Sequence, residues 1–175
     1  MDHPFLNNDF HIRWSTLKPA NIKADINKAI TQAQAAVEAI TNNRKRSELS
    51  YKNTFGALEE ALEPLQRSWG LVTHLDSVCN TPQLRSAHNK MIPLVSAFFA
   101  AIPLNEELWQ CLQECADSPA VDHLSSTQQR HIQETLADFI EQGANLPVKQ
   151  KQRASEIQEQ LAKLTQKYSE NCLDG

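Results

Sequence analysis

The chain has 175 residues, 41% of them apolar, with 17 Lys and Arg against 21 Asp and Glu, a net charge of -4 and only 4 Gly. That length suits one domain able to bury roughly 70% of its unfolded surface, and so little glycine favours long helices over tight turns. The mild acidity excludes a nucleic-acid or anionic-membrane footprint, no apolar run approaches the ~20 residues that span a bilayer, and the opening Met1-Asp2-His3-Pro4-Phe5-Leu6 lacks the basic start and apolar core of a signal peptide.

In chain order, residues 1–18 read as an extended N-terminal arm. Helical spacing then begins near Pro19 and runs to about Ile40, with Ile22, Ile26, Ile30, Ala33, Val37 and Ile40 on one stripe. Pro19 fits a first turn, where its missing N–H costs nothing. The polar stretch Thr41–Lys52 predicts a loop, and its basic cluster Arg44-Lys45-Arg46 a solvated one. A second stripe carries Phe55, Leu58, Leu62, Leu65, Trp69, Val72 and Cys79 at alternating spacings of three and four. Pro64 inside it predicts a kink, because its ring opposes the carbonyl of Glu60.

Thr81-Pro82 reads as a stop and restart, with Thr81 as N-cap and Pro82 at the first helical position. The third stripe holds Leu84, Ala87, Met91, Leu94, Val95 and Phe98, with Pro93 and Pro103 expected to bend and end it. Asn105, followed by Glu106 and Glu107, caps a short helix to about Ala116. A polar loop, Asp117–Leu124, leads to a capping box at Ser125-x-x-Gln128 and a helix with Ile132, Leu136, Phe139 and Ile140 that Gly143 ends. The last helix starts near Pro147 and carries Ala154, Ile157, Leu161, Leu164 and Tyr168. No strand pattern, repeat or low-complexity tract interrupts this series. The expected fold is all-α: one helical domain, a bundle of about six mostly antiparallel helices.

Candidate chemistry is sparse. None of His3, His11, His74, His88, His123 and His131 lies in an HExxH pattern, and a zinc site needs at least three convergent ligands. Cys111 and Cys115 share a helix face, so they could serve a metal or redox pair, but two small soft residues facing the core is the simpler reading. Glu59, Glu60, Glu63, Glu106 and Glu107 cluster on faces expected to be solvated, not in a pocket that would separate two carboxyl pKa values. Trp69 reads as core, while Trp14 and Trp109 are undecided. No G-x-S-x-G, phosphate loop or Cys/His nucleophile motif occurs. No residue is therefore assigned as catalytic, as a metal ligand or as a substrate contact. Cys79, Cys111, Cys115 and Cys172 form no CxxC and read as free thiols of a cytoplasmic protein.

One run is more specific. His74-Leu75-Asp76-Ser77-Val78-Cys79-Asn80-Thr81-Pro82-Gln83-Leu84-Arg85-Ser86-Ala87 resembles a segment of the thimet-oligopeptidase family, its bacterial oligopeptidase A branch most closely, in which one helix ends and the next begins. Asn7–Phe10 and Ile12–Ala20 look like that family's opening, and Thr54-Phe55 with Leu58, Leu62 and Leu65 is similar to its next helix, although Gly56-Ala57 replaces the usual polar pair. Phe139, Gly143, Leu146-Pro147, Arg153, Ile157, Leu161, Leu164, Tyr168, Asn171 and Leu173-Asp174 fit its later stretch. The resemblance covers nearly the whole chain.

It implies the N-terminal helical region of a much longer zinc metalloendopeptidase, one wall of a deep channel that admits short peptides and excludes folded proteins. The family's zinc ligands and general base lie far beyond this region and map onto no residue here. On that reading zinc is expected only in the full-length parent, and this chain alone is inactive. Its partners are short peptides and the remaining catalytic part of the same polypeptide, with no nucleic acid and no membrane, and some apolar surface should stand uncovered in its absence. The stop at Asp174-Gly175 is expected to be a cut at a domain boundary. The alternative is a free-standing helical module that seats partner helices in a groove.

Overall fold

A computed structural model describes the backbone of residues 3–43 and 48–174, with the side chains through 168 and that of Asn171. The Arg44-Lys45-Arg46 cluster and the side chain of Cys172 fall outside these. Among the described residues there are six α-helices and no strand: α1 (Pro19–Asn43), α2 (Phe55–Val78), α3 (Pro82–Ala101), α4 (Glu106–Ala116), α5 (Ser126–Glu141) and α6 (Val148–Asp174). The chain is an all-α bundle. α1 packs against α2, α3 and α4, α4 against α5, and α6 against α3.

The stripes explain the packing. Ile22, Ile26, Ala29, Ala33, Val37 and Ile40 of α1 meet Phe55, Leu58, Leu65 and Val72 of α2 and Met91, Val95 and Phe98 of α3 in one core. Leu108, Leu112, Ile132 and Phe139 extend it. Trp109 is buried in it, stacked on Phe139 with ring centres 6.1 Å apart, and joins α4 to α5.

The helix ends follow local chemistry. Thr81, Asn105 and Ser125 each accept a backbone N–H two or three residues into the helix, from Leu84, Leu108 and Gln128. Gln128 Oε1 accepts in return from the Ser125 N–H at 3.1 Å, completing the box. Gly143 ends α5 with φ +100°, a conformation that favours glycine.

Several expectations are corrected. The loop is shorter than Thr41–Lys52: α1 runs on to Asn43, with Thr41 buried, and Tyr51–Asn53 form a 3-10 turn boxed by Ser50 and Asn53. The expected bends at Pro64 and Pro93 fall inside α2 and α3, each of which runs as one helix past its proline, with buried residues on both sides: Ala61 and Leu65, Met91 and Val95. Cys79, Leu94 and Ile140 face outward rather than into the core, because each stripe is narrower than the run of apolar residues around it. The polar loop Asp117–Leu124 holds a 3-10 turn, Pro119–His123. The largest departure is α6, where Ala154 alone of the apolar stripe is even half-buried and Ile157, Leu161, Leu164 and Tyr168 are exposed.

Residues 3–18 are drawn against the bundle. Pro4–Leu6 and Trp14–Thr16 form 3-10 turns, and Phe5 and Leu17 are buried.

Candidate functional site

Each group singled out in the sequence has a definite neighbourhood. Glu59, Glu60 and Glu63 lie exposed on α2. Glu59 Oε1 stands 3.4 Å from His131 Nε2, and the other ring nitrogen of His131 stands 3.0 Å from the Tyr51 hydroxyl. Glu106, at the start of α4, takes the Lys151 ammonium of α6 at 2.5 Å, and this bond holds its carboxyl below the usual range. Neither arrangement encloses a pair of carboxyl groups, so neither provides the split acid and base of a hydrolytic site.

Cys111 and Cys115 are both buried in the core, as the simpler reading has it. The Thr54 hydroxyl donates to Cys115 Sγ at 3.1 Å, and burial pushes that thiol's pKa up, away from the reactive thiolate. His11 sits edge-on to Phe10, His74 lies beside the half-exposed Trp14, and His123 is on the exposed 3-10 turn before α5.

The richest polar cluster lies where the 74–87 run turns from α2 into α3. Asp76 Oδ2 is 3.3 Å from His88 Nδ1, and Trp69 stacks on the imidazole at 4.9 Å. Burial lowers the His88 pKa, with the Asp76 charge and a hydrogen bond donated by the imidazole to Asn89 pulling the other way. Asp76, His88 and Asn89, with Arg85, Leu161, Thr165 and Gln166, border a cavity of about 340 Å³ under α6. The cluster carries no nucleophile with an adjacent base, so it orders the α2–α3 turn instead of doing chemistry.

Sequence reasoning missed this pair, as it missed His3 with Asp25 and Glu106 with Lys151. The Asp76–His88 pair had a usable signal: two titratable residues at similar distances from Thr81-Pro82 on the two arms of a helical hairpin. The other pairs join residues 22 and 45 positions apart, and no local pattern marks them.

Among the described residues no three His, Cys, Asp or Glu side chains converge so that they could hold a metal ion. No single helix among them is long and apolar enough to cross a membrane.

Residues 24–153 match the model of the neurolysin/thimet oligopeptidase N-terminal domain. The chain belongs to that family. Similarity to its members extends further than the domain itself. Oligopeptidase A of Salmonella typhimurium is 30% identical over 175 residues, all of this chain and 25% of that protein. Oligopeptidase A of Escherichia coli is 29% identical over 162 residues, 93% of this chain and 24% of that protein. A probable cytosolic oligopeptidase A of Arabidopsis thaliana is 25% identical over 173 residues, 99% of this chain and 24% of that protein. The chain thus spans about a quarter of the length of the curated relatives it matches. The run at 74–87 lies within the family match, and the Asp76–His88 pair is the contact that this chain builds on it.

Proposed function

We propose that this chain is the N-terminal, substrate-enclosing part of a zinc-dependent oligopeptidase that hydrolyses short peptides in the cytoplasm, and that it performs none of the chemistry. The carrying observation is the match of residues 24–153 to the oligopeptidase N-terminal domain. Its long helices, roughly 30–40 Å each at 1.5 Å per residue, suit a rigid wall that limits what reaches an active site built elsewhere. Size selection of this kind excludes folded proteins by geometry and leaves sequence preference to the rest of the cleft.

The described residues do not fit the family's zinc. Three or four convergent ligands are needed, and the histidines here are spent on separate neighbours: Asp25, Asp76 and Tyr51. No reaction step is therefore routed through this chain. The cytoplasmic setting is supported by the name of the Arabidopsis relative and by the thiols of Cys79 and Cys115, neither of which is in a disulfide.

The test has two arms. Purified alone, the chain should hold no stoichiometric zinc by elemental analysis and cleave no quenched fluorescent peptide. Grafted in place of the N-terminal quarter of Salmonella oligopeptidase A, it should support peptide cleavage that the truncated enzyme lacks. One tight zinc per isolated chain, or a folded graft with no activity, would overturn the reading.

A further inference from the structure

The last helix is seated on an unexpected face. Toward α3 it presents mainly small or polar residues, among them Ser155, Gln158, Ala162 and Gln166, which line cavities between the two helices together with one edge of Leu161. Gln158 Oε1, on this side, is shut off from solvent without a hydrogen-bond partner, and so is Asp76 Oδ1 across the seam. Meanwhile Ile157, Leu161, Leu164 and Tyr168 are 42%, 55%, 64% and 71% exposed. Their spacings of four, three and four are those of a coiled-coil seam, with Ala154, Leu161 and Tyr168 at a positions and Ile157 and Leu164 at d positions. A 27-residue helix that turns such a stripe to water leaves its main source of stability unused.

We infer that this seam of α6 seats an amphipathic helix from the part of the polypeptide C-terminal to the N-terminal domain in oligopeptidase A-type proteins. Two observations choose that occupant. First, the N-terminal-domain match stops at Arg153, in the second turn of α6, whereas similarity to Salmonella oligopeptidase A continues over all 175 residues while accounting for only 25% of that protein. The exposed stripe begins just where the domain match ends, so it belongs to the junction between this domain and the rest of such a protein.

Second, the rim disfavours a second copy. Of the e positions, Gln158 is half-buried against α3 and offers a parallel partner little to pair with, while Thr165 borders the α3 cavity and stays exposed. The open g positions are Arg153, Gln160 and Lys167. In an antiparallel pair of copies centred on Gln160, Arg153 of each would face Lys167 of the other, like charge on like at both ends. The partner helix therefore carries apolar a and d positions and acidic or neutral residues opposite Arg153 and Lys167.

The seam deepens the reading of this chain as part of a longer peptidase and rests on it. The test uses the same graft into Salmonella oligopeptidase A, with a photo-crosslinking phenylalanine analogue at position 161 and, as control, at exposed position 138 on α5. Crosslinks from 161 should join a helical segment beyond the graft, several-fold above the control. A graft that cleaves peptide yet crosslinks from 161 only between copies, or no more than from 138, overturns the seam and leaves the proposed function standing. An inactive graft with the 161 crosslink does the reverse. The isolated chain gives an independent arm: Leu161→Glu with Leu164→Glu should leave it monomeric with its melting temperature nearly unchanged, while Leu65→Ala lowers it sharply. A fall as large as that of Leu65→Ala would show that the stripe is already covered and would overturn the inference.

Discussion

Asp25 is the residue on which the N-terminal arm depends. It lies in the middle of the apolar stripe of α1, fully buried, and its two carboxyl oxygens take the Phe5 N–H and the His3 ring nitrogen, each at 2.9 Å. A buried carboxyl is tolerated only when its lone pairs are used, so Asp25 and the arm hold each other in place. Arg67 of α2 adds a second tie, donating to Asn8 Oδ1 and to the Asp9 carbonyl. Asp25→Ala removes the first tie and unseats Phe5, which is 1% exposed. A loss of about 2–3 kcal/mol in urea unfolding is expected, with the arm becoming the first site of proteolysis. Unchanged stability with an intact arm would show that Phe5 is held by packing alone. His88 gives a pH signature. Burial lowers its pKa below the ordinary 6.5, so the unfolded chain binds a proton that the folded chain resists. The stabilising contribution is present above pH 6.5 and falls as the pH drops below it toward the folded-state value. Urea titrations between pH 7.5 and 5 should show this decline, and His88→Gln should flatten that part of the curve. A parallel decline in the variant would assign it to other groups.

At the scale of the element, the end of α5 makes the sharpest demand. Gly143 has φ +100°, and a Cβ there would come within 2.8 Å of Leu146 Cδ1. The Gly143 and Ala144 N–H groups return to the Ile140 and Phe139 carbonyls at 3.0 and 2.8 Å, which turns the chain toward α6. Gly143→Ala should cost about 1–2 kcal/mol, from the left-handed conformation and the displaced Leu146 together. Thermal unfolding measures it, and a neutral result would mean that the turn relaxes to a negative φ without disturbing α6. The bounds of this element are legible in the sequence, because capping box and terminal glycine are local signals, as are the caps at Thr81 and Asn105, although Ile140 of its stripe turns outward. What is not legible is what a stripe meets. Phe55, Leu58, Leu65 and Val72 of α2 and Ile157, Leu161, Leu164 and Tyr168 of α6 look alike in sequence, yet the first set is buried and the second is exposed. Periodicity reports that a face is apolar, and only the partner decides whether it is covered. The same limit applies to the candidate site. The paired neighbours of His3, His88 and Glu106 come from other elements, so no spacing within one helix could announce them.

At the scale of the whole molecule, these differences predict an uneven stability. α1 and α2 share the core through Ile22, Ile26, Phe55, Leu65 and Val72, all 0% exposed, and opening either means exposing the centre of the bundle. α6 is held along α3 by small and polar side chains, and it is tied at its start by Lys151, 8% exposed, on Glu106. Beyond that anchor its ion pairs, Arg153 with Glu156 and Lys163 with Glu159, join residues of the helix itself and are solvent-exposed, so they add nothing toward docking. Local opening requires only the contacts of the segment that opens. The part of α6 past Lys151, nearly the whole helix, should therefore unfold on its own, well before the bundle. Hydrogen exchange should show amides of residues 155–168 exchanging orders of magnitude faster than those around Ile26 and Leu65, and brief trypsin treatment should cut after Lys163 and Lys167 before it cuts after Arg67 or Lys90. A product ending within α6 should keep the melting transition of the intact chain, because the core it leaves behind is complete. Equal protection of α6 and α1 would mean that the polar seam with α3 binds more tightly than its side chains account for.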